Sequence, residues 1–151
     1  MNWYSFIKKY VWVDNKTPYL VPVENLSRVQ ARHELFTFSV LMAIFFMMIG
    51  IAAMLGGFFH GRSYGMALFA FTQFCSAVFL GATRHHFAAM YCSAAPVVAL
   101  FYFLFYGFPP NLHAIDEYLI LIVTLILLRY TFRVVAIAKA FPFLPADPDD
   151  D

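Results

Sequence analysis

The sequence predicts an all-α integral membrane protein, a four-transmembrane-helix up-down bundle with an interfacial N-terminal segment. Three observations predict it. First, of 151 residues 62% are apolar and 13% charged, against about 45–50% apolar and about 25% charged in a soluble domain. Nineteen Phe and nine Tyr exceed what one small core can hide, which leaves lipid as the destination for the surplus. Second, four apolar stretches approach the ~20 residues with which a helix crosses about 30 Å of hydrocarbon. Third, positive charge is lopsided, and cytoplasmic segments carry the excess of Lys and Arg. Lys8, Lys9, Lys16, Arg28, Arg32, Arg84, Arg129, Arg133 and Lys139 fall on one side of the spans, and only Arg62 on the other.

Residues 1–34 form a cytoplasmic or interfacial amphipathic segment. Trp3, Tyr4, Phe6, Tyr10 and Trp12 are interleaved with Lys8 and Lys9, the mixture that suits a headgroup layer. The lysines also break the apolar core that a cleaved signal peptide requires, so insertion through an uncleaved signal anchor is expected. Pro18 and Pro22 make the chain around Tyr19 extended. Ser27 followed by Gln30 matches a capping box, which starts a helix near Arg28 that continues into the first span.

The four spans cover about 35–59, 64–82, 87–106 and 115–138, a transmembrane domain of 35–138. They are separated by His60-Gly61-Arg62-Ser63, by Arg84-His85-His86, and by Gly107-Phe108-Pro109-Pro110-Asn111. Connections this short make neighbours antiparallel, and with the charge bias they put both termini inside. Residues 139–151 form an acidic cytoplasmic tail, disordered from Asp147 on.

Small residues let helix backbones approach where lipid supplies no hydrophobic drive. Ala43, Gly50 and Gly57 recur in the first span, and Ala88, Cys92, Ala95 and Ala99 in the third, which reads chiefly as packing within the bundle. The fourth span is bulky from Tyr118 to Leu128, with Thr124 its one small polar residue. Gln73, midway along the second span, calls for an interhelical hydrogen bond worth about 0.6–2 kcal/mol. Pro96 bends the third span. Asp116 and Glu117 complement the dipole at the start of the fourth. Cys75 and Cys92 stand at comparable depth on adjacent helices and read as small hydrophobes, lacking metal-site spacing.

Arg129 lies ~10 Å inside the cytoplasmic edge, within reach of a snorkelling side chain. With Arg133, Arg84, Trp3 and Trp12 it forms the expected contact with anionic lipid or with a carboxylate on a partner protein. His33, His60, His85, His86 and His113 are the haem b candidates, since paired imidazoles hold such haems. All five lie near span ends, where an imidazole is also comfortable in interfacial water. There is no Ser/His/Asp arrangement, Gly-rich phosphate loop or HExxH, and no basic stripe for nucleic acid.

The expected function is therefore a non-catalytic accessory or assembly subunit of a larger membrane complex, of the respiratory or photosynthetic kind, in the bacterial cytoplasmic (inner) membrane. Its expected partners are anionic lipids on the cytoplasmic side and other membrane subunits, with no metal. A small b-type cytochrome or quinone-binding redox protein is the alternative. A small transporter or channel oligomer is the third reading, supported only by Gln73 and Pro96.

Overall fold

The computed structural model describes residues 21–56, 62–108 and 113–145. Four helices make up most of these residues, α1 (Arg28–Leu55), α2 (Tyr64–Thr83), α3 (His86–Tyr106) and α4 (Ala114–Ala140), with single 3-10 turns at Val23–Asn25 and Phe141–Phe143. Each helix is long and apolar enough to cross a membrane.

The capping box that the sequence predicts is present. The Ser27 side chain accepts from the Gln30 amide at 3.2 Å, and the Gln30 side chain accepts from the Ser27 amide at 3.0 Å. Two of the orphan donors of the first turn are thereby satisfied. At the other end α1 stops at Leu55, earlier than the apolar run to Phe59 implies. Gly56 adopts φ +82°, a left-handed conformation that ends helices and that glycine takes without steric cost. The next turn back is closed by Ser63, whose amide donates to the Ala53 carbonyl at 3.2 Å.

Ser63 caps α2 by accepting from the Met66 amide at 3.3 Å. Only Arg84 and His85 separate α2 from α3. Arg84 makes that corner in the left-handed region, φ 56°, which a side chain tolerates at a cost of about 1–2 kcal/mol. Two contacts offset the cost: its amide donates to the Leu80 carbonyl at 2.8 Å, and its guanidinium lies 5.5 Å from the centre of the Phe141 ring, within cation–π range. At the start of α4 the Asp116 carboxylate accepts from the His113 amide at 3.3 Å, the capping role its position implies.

Each helix packs on the next, and α4 returns to α1, closing a ring. Bonds between elements far apart in the chain gather at the end where α1 begins and α4 ends. There Val21, Leu26 and Leu144 are buried, and Arg28 donates from its backbone to the Pro145 carbonyl and from its side chain to the Pro142 carbonyl, both at 3.3 Å. Phe38 meets Tyr130 edge to face, centroids 5.9 Å apart. Small residues let α1 and α2 close on each other: a Cβ on Gly81 would stand 3.1 Å from the Ser39 Cβ. Ala88, Cys92 and Ala95 are buried, so the small face of α3 is an internal packing face.

Candidate functional site

Three features could carry function: a buried ion pair, a polar seam between α2 and α3, and a cavity. The ion pair joins α1 to α4. Arg133 donates from Nε to Glu34 Oε1 at 2.7 Å and from Nη2 to Oε2 at 3.0 Å, the bidentate arrangement in which a guanidinium matches a carboxylate. Glu34 is 0% exposed and the Arg133 side chain 21%. Sequence reasoning looks outside the chain for the anion that Arg133 needs, in a lipid or a partner. The anion is internal. Glu34 stands one residue before the apolar run and is the sole acid of α1; an acid against an apolar run, flanked by Arg28 and Arg32, is the signal that would have found it.

Arg129, one turn away, is exposed. Its neighbours one turn to either side, Leu125, Ile126 and Phe132, are exposed as well, so the guanidinium projects from an apolar face.

Gln73 is 0% exposed, and its amide donates to the Tyr91 carbonyl on α3 at 3.2 Å. Beside it Ser76 donates to the Ala88 carbonyl at 3.1 Å, and the Tyr91 hydroxyl donates to Thr72 at 2.9 Å. The Cys92 thiol lies 3.7 Å from the Ser76 hydroxyl. Cys92 is buried and Cys75 exposed, both as free thiols, so at comparable depth they meet different surroundings. The seam lies one turn from Pro96, whose missing N–H leaves the Cys92 carbonyl without its helical donor. Gln73 Oε1 is buried with no hydrogen-bond partner among the described residues.

The histidines are spread over the bundle. His85 and His86 are consecutive at the start of α3 with rings stacked 5.0 Å apart, and His85 Nδ1 accepts from the Phe87 amide at 3.4 Å. His33 lies in the second turn of α1, and His113 caps α4 at the opposite end of the bundle. Among the described residues no three His, Cys, Asp or Glu side chains converge as a metal site would require. His60, Trp3 and Trp12 lie outside the described residues, as do Pro109–Asn111 and the Asp147–Asp151 tail.

The cavity, about 470 Å³, is bounded by all four helices in the half of the bundle away from the ion pair. Phe46 of α1, Phe69 of α2, Pro96 and Ala99 of α3, and Val123 and Thr124 of α4 are among its walls. The Thr124 hydroxyl is already committed, donating to the Ile120 carbonyl at 2.7 Å.

No protein family, curated protein or solved structure matches the chain.

Proposed function

We propose that the chain is an integral membrane protein crossing a bacterial cytoplasmic membrane four times with both termini inside, and that it serves as a non-catalytic accessory or assembly subunit of a larger membrane complex. Arg129 carries this reading. Two arginines stand one turn apart on α4; Arg133 finds its counter-charge within the chain, at Glu34, whereas Arg129 projects among exposed apolar residues. A cation on an apolar face of a membrane-length helix takes an anion from its surroundings, a lipid phosphate at the cytoplasmic interface or a carboxylate of an adjoining subunit. Large apolar side chains are also exposed on every helix, among them Leu41, Leu68, Leu104 and Ile126, a surface suited to acyl chains and neighbouring helices.

Mild-detergent purification of the tagged chain tests the reading. The wild-type chain is expected to bring down membrane proteins that Arg129→Gln loses, while Arg129→Lys retains them. Recovery of a lone chain under every mild condition sinks the subunit role. Reporter fusions that act only in the cytoplasm, placed at either terminus, test the orientation.

A further inference from the structure

We propose that the cavity among the four helices is a binding site for the hydrocarbon chain of a membrane lipid, either fatty-acyl or isoprenoid. The cost of an unfilled cavity rises with its volume, and this one, about 470 Å³, is several times the ~150 Å³ that admits a benzene molecule. Water does not fill it on the strength of its walls. A buried water needs two to four polar partners, yet apart from Tyr102, Thr124 and the weakly accepting thioethers of Met42 and Met66 the lining is hydrocarbon and aromatic, and the Thr124 hydroxyl is held by the Ile120 carbonyl. With so little to recognise a headgroup, the walls select a chain.

The shape of the site agrees. Its walls run from Ala95 to Phe103 on α3 and from Leu119 to Leu127 on α4, ~12 Å along each helix at 1.5 Å per residue. The site is therefore elongated along the bundle, in the direction that lipid chains follow. Phe45 on α1, Val98 on α3, and Leu119 and Val123 on α4 line it and are themselves exposed, which opens the site through the side of the bundle. Pro96 is part of the wall on α3, where its ring adds apolar surface and no N–H donor. The proposal rests on the bilayer placement given above, and it adds a ligand that an accessory role does not require.

Photolabelling of the full chain in phosphatidylcholine–phosphatidylglycerol nanodiscs tests it, with a diazirine-bearing acyl phospholipid in one arm and a diazirine-bearing isoprenoid alcohol in the other. In at least one arm adducts are expected on the inner wall, at Phe46, Ala99 and Thr124, as well as on the exterior residues Phe101 and Leu125. The arm that labels the wall identifies the chain type. Ala99→Phe fills the site and is expected to abolish wall adducts while leaving exterior ones unchanged. Val123→Trp narrows the mouth and supplies the same comparison should Ala99→Phe fail to fold. Exterior adducts alone in both arms of the wild-type experiment would overturn the site, as would wall adducts that persist in both folded variants. Absence of adducts everywhere would instead overturn the bilayer placement, and the site with it.

Discussion

Glu34 and Arg133, 99 residues apart, hold each other through two hydrogen bonds of 2.7 and 3.0 Å, and so fasten the first helix to the last. Removing one partner leaves the other as an unmatched charge, which costs about 3–5 kcal/mol at a buried site. Arg133→Met is expected to approach that loss because Glu34 is wholly buried. Glu34→Leu is expected to cost less, since the Arg133 side chain keeps partial access to its surroundings. The double variant should recover most of the stability of the original protein. Melting temperatures in one detergent for the four proteins of this cycle measure the coupling, and additive losses would refute it.

The two small-residue contacts of α1 with α2 should respond in opposite directions. A Cβ on Gly81 stands 3.1 Å from that of Ser39, whereas one on Gly50 stands at an ordinary 3.6 Å from that of Ala70. Gly81→Leu is expected to force the helices apart and cost about 1–3 kcal/mol. Gly50→Ala should gain up to ~1 kcal/mol from helix propensity. Unfolding midpoints of both variants, measured side by side, decide this.

Ser27→Ala removes the acceptor for the Gln30 amide and is expected to cost about 1 kcal/mol. Hydrogen exchange should show the loss in the first turn of α1. Faster exchange throughout α1 would mean that the cap does more than close one turn.

Gln73 gains one hydrogen bond to Tyr91 but buries a carbonyl oxygen that has no partner among the described residues. These effects oppose each other, so Gln73→Met is expected to change stability by less than ~1 kcal/mol. A larger loss would refute that balance.

Much of the frame is legible in the sequence because it is written locally. Apolar length marks the helices, and Ser27 with Gln30 marks where α1 begins, since capping acts over three residues. The end of α1 is less legible: Gly57, Phe58 and Phe59 continue the apolar run, while the left-handed turn at Gly56 stops the helix. Hydropathy records solubility in lipid, and backbone conformation is a separate matter. The Glu34–Arg133 pair is hidden for another reason. Each residue alone resembles a flanking charge, and their meeting depends on α4 returning to α1. The cavity is the least legible feature, because its volume is what remains after four helices pack and no residue in it is unusual for a membrane span.

Synthesis proceeds from Glu34 toward Arg133, so the acid of α1 emerges from the ribosome three helices before its base. A chain interrupted after α3 has no Arg133 to offer it, so its first helix lacks the tie that fastens it to the last. The pair therefore closes last, and only where all four helices are present to bring its two halves together.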